Sequence, residues 1–130
     1  MSMLRCLLMF QVLYSCSSLG VFEELHNNRC MTAETLANKL HVNAGALGRL
    51  MNAAASINLL NTHSTTTTHP TKYTNSPTVE KFVVKSSPAS VKALVNKMGD
   101  MYMMFGKLSD SVRKGSICFI ISHLYNTSFL

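Results

Sequence analysis

The chain has 130 residues, of which 47% are hydrophobic, and its 12 basic and 6 acidic residues give a net charge of +6. The length fits a single domain, and the hydrophobic content is ordinary for a globular chain with a core. The basic residues are scattered over the second half of the sequence instead of forming a run. Scattered, solvated lysines argue against a nucleic-acid-binding or membrane-binding protein.

The cysteines and histidines are not spaced as metal ligands. There is no CxxC pair, and no histidine follows a cysteine at the spacing of a zinc site. This pattern predicts reduced thiols and a cytoplasmic protein. His63 and His69 flank a threonine-rich loop without an acidic neighbour, so we expect no metal site, and the few acidic residues predict no catalytic group. The cysteines are Cys6, Cys16, Cys30 and Cys118.

The N-terminal segment MLRCLLMFQVLYSCSSL predicts a helix over residues 3–19. Apolar side chains surround nearly its whole circumference, so every side of this helix needs to be covered. Three explanations are open: a signal peptide, a core helix, or a surface for a second subunit. A signal peptide is disfavoured because Arg5 is the only basic residue before the apolar run and Gln11 interrupts it. The run is also shorter than the roughly 20 apolar residues that span a membrane.

The next segments predict a helix-turn-helix. Gly20 suits the C′ position of the first helix, after which Val21 and Phe22 return to the core. Thr32 is placed to cap a second helix, and Asn43 is placed to cap a third over residues 44–57. Apolar residues follow both caps at helical spacing. They are Ala33, Leu36, Ala37 and Leu40 in one helix, and Leu47, Leu50, Met51 and Ala54 in the other.

Two short segments, LLNT and TKYT, are predicted as strands because β-branched residues favour extended structure. The segment HSTTTTHP between them is expected to form the loop at their tip. A β-hairpin after a helix-turn-helix makes a winged helix. We therefore predict a mainly α, winged-helix-like domain with a small β-hairpin.

Two further helices are predicted where Ser76 and Ser87 each precede a proline, the favoured order at a helix start. The first helix carries Val79, Phe82 and Val83. The second carries an apolar stripe that is typical of a core face, and that has a hydrophobic ligand pocket as its alternative interpretation. A bend is expected near Gly106. The stripe consists of Val91, Leu94, Val95, Met98, Tyr102 and Phe105, with Leu108 and Val112 extending it.

Two classes of nucleotide binding are disfavoured by the sequence. No two glycines form GxG, which excludes a dinucleotide or S-adenosylmethionine fingerprint. A winged helix can also bind DNA, but the predicted recognition helix offers only Arg49 and Asn52, and the wing offers only Lys72. Because phosphate contacts dominate affinity for DNA, this face argues against DNA binding.

Four segments in order resemble the N-terminal domain of small-molecule O-methyltransferases. QVLYSCSSLGVFEEL resembles the opening of that domain, and MTAETLANKLHVNAGALGRLMNAAASINLL resembles its helix-turn-helix. KYTNSPTVEKFV is similar to the segment after the wing. MYMMFGKLSDSVRKG is similar to an aromatic and leucine-rich stretch that ends in D-x-V-R-x-G. The resemblance extends over about residues 4–115.

The resemblance implies a winged-helix-like dimerisation domain over residues 1–115, which interlocks two subunits and does not read DNA. It implies that the apolar first helix packs on a partner, either a second copy in a homodimer or a full-length methyltransferase subunit. The residues expected at this dimer interface are Leu7, Phe10, Leu13, Tyr14 and Phe22.

The resemblance also implies where methyl transfer takes place. In the family, S-adenosylmethionine and a catalytic histidine belong to a Rossmann-like domain that follows. Residues 116–130 depart from the family pattern, so we expect a non-homologous tail and a truncated chain, without a cofactor and inactive alone. Tyr102 and Phe105 are expected at a substrate pocket. Two other functions stay open: a winged-helix DNA-binding regulator, and a small secreted protein cleaved after the first helix.

Overall fold

The computed structural model describes residues 2–64 and 70–115. Over these residues the fold is mainly α-helical with a small antiparallel sheet, as the sequence predicts. The chain divides into two compact units, residues 1–96 and 97–130. A domain boundary after residue 115 stays a prediction, and the predicted tail lies outside the described residues. The elements are α1 (Met3–Leu19), α2 (Val21–Asn28), β1 (Met31–Thr32), α3 (Ala33–Leu40), α4 (Ala44–Ser56), β2 (Leu60–His63), β3 (Lys72–Asn75), α5 (Pro77–Phe82), α6 (Lys92–Phe105) and α7 (Leu108–Lys114).

The helix-turn-helix consists of α3 and α4, and each helix begins at its predicted cap. The Thr32 side chain accepts a hydrogen bond from the Thr35 backbone N–H at 3.2 Å, and the Asn43 side chain accepts one from Ala46 at 2.9 Å. Each cap satisfies an N–H group that has no partner within its own helix. His41 ends α3 with a φ of 57°, the left-handed conformation that lets the chain turn into α4.

The sheet of the described residues has three antiparallel strands in the order β1-β3-β2. The hairpin of β2 and β3 confirms the predicted wing, although each strand lies one residue later than predicted, and Leu60 pairs with Asn75. The sequence does not predict β1, because two residues leave no alternating pattern. This short strand forms by pairing with β3, where Met31 lies opposite Tyr73 and Thr32 lies opposite Lys72.

The core of the first unit lies between α2, the helix-turn-helix and the sheet. Gly20 has a φ of 92°, and its N–H reaches the carbonyl oxygens of Cys16 and Ser17, as expected of a C′ glycine. The chain then enters α2, with Val21 and Phe22 buried as predicted. The largest fully buried side chains are Phe22, Leu25, Leu36, Met51, Leu60, Val21, Val79, Val84 and Cys16.

One predicted helix begins later than its predicted cap. The sequence predicts Ser87 as the cap and Pro88 as the first helical residue, but α6 begins at Lys92. The Ser87 hydroxyl instead donates to the carbonyl oxygen of Lys81 at 2.5 Å. That bond back to α5 holds the serine in a turn, so it does not cap the helix that follows. The predicted bend near Gly106 is confirmed, because α6 ends and α7 begins on either side of it.

Candidate dimer interface

The first helix changes from exposed to buried along its length. Met3, Leu4 and Leu8 are 81%, 67% and 59% exposed, whereas Cys16 and Ser17 in the last turns are buried. The helix is apolar nearly all round, but the core of its own chain covers only the C-terminal half. The first two turns therefore present apolar side chains to solvent, and a concentration of such side chains marks an interaction site.

The exposed half of α1 is capped at its start and continues into a half that is anchored in the core. Val12 and Leu13 pack against the core, and the Ser17 hydroxyl donates to Asn96 Oδ1 at 3.3 Å. At the start of the helix, Ser2 accepts a backbone N–H of the first turn at 3.2 Å. The apolar side chains thus stand on a capped helix that continues into the core.

The five predicted interface residues divide between the surface and the core. Leu7 is 41% exposed, and Phe10 and Tyr14 are half-buried and stacked with their ring centroids 6.5 Å apart. Leu13 is half-buried and packs on the core of its own chain. Phe22 is only 1% exposed. Its assignment to a dimer interface is therefore corrected, because a side chain buried in its own core has no surface for a partner.

The most exposed apolar residues of α1 are not among the predicted interface residues. Met3, Leu4 and Leu8 are all more exposed than Leu7. The signal for them is present in the sequence, since Met3, Leu4 and Leu8 belong to a predicted helix that is apolar nearly all round. Helical spacing alone does not show which turns the chain's own core covers, so it favoured the middle of the helix.

The predicted core stripe of α6 is confirmed only at Val95, which is buried. The other five residues are 42–46% exposed. Periodicity shows that a helix has one apolar side, but it does not show that the same chain covers that side. Tyr102 and Phe105 belong to this exposed group, and their place in a substrate pocket stays a prediction. The five exposed residues are Val91, Leu94, Met98, Tyr102 and Phe105.

A polar cluster joins α2, β3 and α5 within the first unit. His26 Nδ1 lies 2.6 Å from Glu80 Oε2, and Asn75 Nδ2 donates to Glu80 Oε1 at 2.9 Å. Asn75 is buried and also donates to the carbonyl oxygen of Phe22 at 2.8 Å. Ser86 Oγ lies 3.5 Å from His26 Nε2, which is too long a contact to activate the serine as a nucleophile. The cluster therefore fixes α5 and β3 against α2.

The structure also bears on metal ions, DNA and membranes. The described part of the chain holds no group of three or more histidine, cysteine or acidic side chains that could bind a metal ion, and His69 lies outside that part.

The residues considered for DNA contact lie on α4 and β3. On α4, Asn52 accepts the Tyr73 hydroxyl at 2.5 Å and Arg49 is exposed, and on β3 Lys72 is exposed. Among the described residues, no single helix is long and apolar enough to cross a membrane. Only α1 and α2 together pass that test, and they are bent by 61° where they join.

The model of the O-methyltransferase dimerisation domain matches residues 1–85 of the chain. The chain belongs to this family. The match runs from α1 through the helix-turn-helix and the wing to α5. It confirms the resemblance that the quoted segments carry, and it identifies the function of the domain as dimerisation of O-methyltransferases.

Solved structures of methyltransferases contain the same fold as this dimerisation domain. Human N-acetylserotonin methyltransferase, in complex with SAM, is 25% identical with a TM-score of 0.73, and the match covers 83% of this chain and 31% of that one. A riboflavin-derivative dimethyltransferase from Streptomyces davawensis is 24% identical with a TM-score of 0.72, covering 90% and 33%. An O-methyltransferase family protein from Burkholderia thailandensis is 16% identical with a TM-score of 0.64, covering 80% and 29%.

The chain spans about a third of the length of these methyltransferases, between 29% and 33%. The likeness to the human enzyme confirms the prediction from the sequence motifs, which resemble acetylserotonin O-methyltransferase within the family. No curated protein matches the sequence.

Proposed function

We propose that this dimerisation domain forms a homodimer through the exposed half of α1. The observation that carries the proposal is the exposure of Met3, Leu4 and Leu8 on a helix whose other half is anchored in the core. Membership of a dimerisation-domain family supports it. A second copy of the chain offers the same apolar surface, and a two-fold axis brings each exposed residue into the interface twice.

The exposed residues supply a driving force of the right size. Full burial of one leucine or methionine side chain contributes about 1.5–3 kcal/mol. Three such side chains from each subunit give roughly 9–18 kcal/mol as an upper bound, against an association cost of about 4–15 kcal/mol. A stable dimer therefore needs nearly complete burial of the exposed half of α1, and substitution of one leucine by a charged residue is sufficient to prevent it.

The second partner that we propose is a full-length methyltransferase subunit of the same family. Such a subunit carries the same domain, so the same surface of α1 is expected to receive it. Co-purification of a tagged chain with a co-expressed full-length enzyme tests this pairing. Leu8→Asp in the tagged chain is expected to abolish it, and undiminished co-purification of that variant would contradict the use of this surface.

Methyl transfer is proposed to need the remaining part of the family's enzymes. Two structural neighbours were solved with SAM or SAH, which supports S-adenosylmethionine as the cofactor of the family. The 130 residues of this chain contain no GxG turn for the methyl donor. We expect titration calorimetry of this chain with S-adenosylmethionine to give no binding heat, with a full-length family enzyme as the positive control. Saturable binding would contradict the proposal.

The experiment that tests the homodimer is light scattering over a dilution series. We expect the full chain to have the mass of a dimer, and the variants Leu4→Asp and Leu8→Asp to have the mass of a monomer. Ser18→Asp is the matched control, because it places the same charge at an exposed position of α1 in its anchored half. Circular dichroism shows whether each variant keeps its helices. A folded monomer of the unaltered chain, or folded dimers of both leucine variants, would contradict the proposal.

A cytoplasmic location and the absence of DNA binding are also proposed. The sequence supports a reducing compartment, because the cysteines lack the close, regular spacing of a disulfide framework. Burial raises the pKa of the Cys16 thiol to about 12, so this thiol is an unreactive core group. Imaging of a tagged chain tests the location. Fluorescence anisotropy with duplex DNA tests the second proposal, and binding that weakens with salt would favour the DNA-binding regulator.

A further inference from the structure

The segment between α5 and α6 contains a serine that is not used as a helix cap. The chain has two Ser-Pro pairs, Ser76–Pro77 and Ser87–Pro88. Ser76 is buried and caps α5 as predicted, with its Oγ accepting the Val79 N–H at 3.3 Å. Ser87 starts no helix and is partly exposed, and it lies in a segment of turns. The two pairs therefore share a sequence pattern but differ in accessibility.

Two lysines line the same pocket as Ser87. A pocket of about 430 Å³ is lined by Ser87 together with Lys85, Lys92, Ser90 and Asn96. One carboxylate, that of Glu23, pairs with Lys92 at 3.1 Å. The two lysine ammonium groups and the one carboxylate leave a net positive charge at this pocket. The Ser90 hydroxyl and the Asn96 amide add neutral hydrogen-bond donors. A phosphate monoester, with its double negative charge and three acceptor oxygens, is the chemical group that matches these donors.

We propose that Ser87 is a phosphorylation site for a protein kinase that requires proline directly after the acceptor serine. In this reaction Ser87 Oγ attacks the γ-phosphorus of ATP, and the bond from that phosphorus to the β,γ-bridging oxygen breaks. ADP leaves, and the hydroxyl proton passes to the base of the kinase. Ser87 gives up its hydrogen bond to the Lys81 carbonyl oxygen, and the new phosphate enters the pocket that Lys85 and Lys92 also line.

The new phosphate changes the contacts of α2 with the segment that follows α5. It competes with Glu23 for the ammonium group of Lys92, since both are anions near the same cation. Glu23 keeps its second contact, the hydrogen bond from the Lys85 backbone N–H at 2.8 Å. The modification therefore adds negative charge to this surface without removing a helix cap. Phosphorylation of Ser76, in contrast, would require α5 to lose its cap and its buried hydroxyl to reach the kinase.

The test is phosphorylation of the full chain by a purified mitogen-activated protein kinase with Mg-ATP, mapped by tandem mass spectrometry. We expect phosphate at Ser87 and none at Ser76. Ser87→Ala and Pro88→Ala are expected to abolish incorporation. Ser86→Ala is the matched control and leaves incorporation unchanged, because it removes the neighbouring hydroxyl that no proline follows. A standard peptide substrate in the same reaction confirms that the kinase is active.

A second measurement tests the role of the lysines. In a ³¹P NMR titration, the second pKa of the phosphorylated chain is expected to lie below its ordinary value of about 6. The double variant Lys85→Gln, Lys92→Gln is expected to raise it again. Three results overturn the proposal: no phosphate at Ser87 while the peptide is modified, equal modification of Ser76 and Ser87, or the same titration in the double variant.

Discussion

Lys92 Nζ lies 3.1 Å from Glu23 Oε1, and this ion pair ties the first turn of α6 to α2 within the first unit. The same carboxylate oxygen accepts the backbone N–H of Lys85 at 2.8 Å. One acidic side chain therefore holds two points of the chain that follow α5. Its protonation state is expected to affect the stability of this unit.

Stability is expected to fall in acid through Glu23. Burial raises the pKa of Glu23, but the Lys85 N–H, the hydrogen bond and charge of Lys92, and nearby His26 together lower that pKa below its ordinary value of 4.5. A carboxyl with a lowered folded-state pKa adds stability above its unfolded value, and this stability is lost as the pH falls through the folded value. Glu23→Gln is expected to cost about 0.5–1 kcal/mol near neutral pH and nothing in strong acid.

Urea unfolding at neutral and acidic pH measures this cost. Glu34→Gln is the control, because Glu34 is exposed at the start of α3. If Glu23→Gln costs the same stability at both pH values, the loss does not come from the charge of Glu23, and the electrostatic explanation is contradicted.

Asn75 is expected to be the most sensitive polar residue of the sheet. It is buried, and its amide donates to the Phe22 carbonyl oxygen at 2.8 Å and to Glu80 at 2.9 Å. Asn75→Ala leaves the Phe22 carbonyl group without this donor, which costs about 1–3 kcal/mol. Thermal unfolding measures the loss, and Asn61→Ala on neighbouring β2, where the side chain is exposed, is expected to change little. Equal effects of the two variants would argue against the hydrogen bonds as the cause.

Substitution by alanine is expected to cost much more stability at Met51 in α4 than at Met103 in α6. Met51 is fully buried, whereas Met103 on α6 is 73% exposed. Met51→Ala leaves a cavity and is expected to cost about 2–5 kcal/mol. Met103→Ala is expected to cost less than about 0.5 kcal/mol in the same denaturation experiment, as surface changes do. A small effect of Met51→Ala would mean that the core collapses into the space, or that α4 packs differently.

Two glycines are expected to respond to alanine in opposite directions. Gly20 has a φ of 92°, and an added Cβ meets Leu40 Cδ2 at an ordinary 3.6 Å, so Gly20→Ala is penalised by its backbone conformation. This penalty is about 1–2 kcal/mol. Gly48 lies inside α4 with 3.7 Å to Ala33 Cβ, so Gly48→Ala is expected to stabilise the helix by up to about 1 kcal/mol. We expect Gly20→Ala to melt at a lower temperature than the unaltered chain, and Gly48→Ala to melt at a higher one.

Local signals in the sequence predicted the helix starts well. Thr32, Asn43 and Ser76 all cap helices in the structure, because a cap depends on the side chain and on the next three residues. Ser87 has the same local pattern as Ser76, but its hydroxyl bonds to the Lys81 carbonyl oxygen in α5. A cap motif does not show whether the serine bonds to the preceding helix instead. For this reason the predicted start of α6 is wrong.

The candidate interface was predictable as a helix but not as a set of residues. The apolar circumference of α1 indicates that something covers it, and the family match agrees with a partner chain. The boundary between the covered and exposed halves depends on how far the core reaches. Phe22 belongs to α2, and its burial depends likewise on how the chain packs after the turn at Gly20, which the spacing of apolar residues does not show.

The most direct test of a dimer through α1 is backbone hydrogen exchange across a dilution series of the full chain. We predict that the hydrogen-bonded amides of the first half of α1, around Leu7 and Leu8, exchange more slowly as the chain concentration rises. The amides in the middle of α4 are buried in the subunit and should not respond. If the solution mass doubles with concentration while exchange in the first half of α1 stays unchanged, the two chains meet elsewhere and the central claim is contradicted.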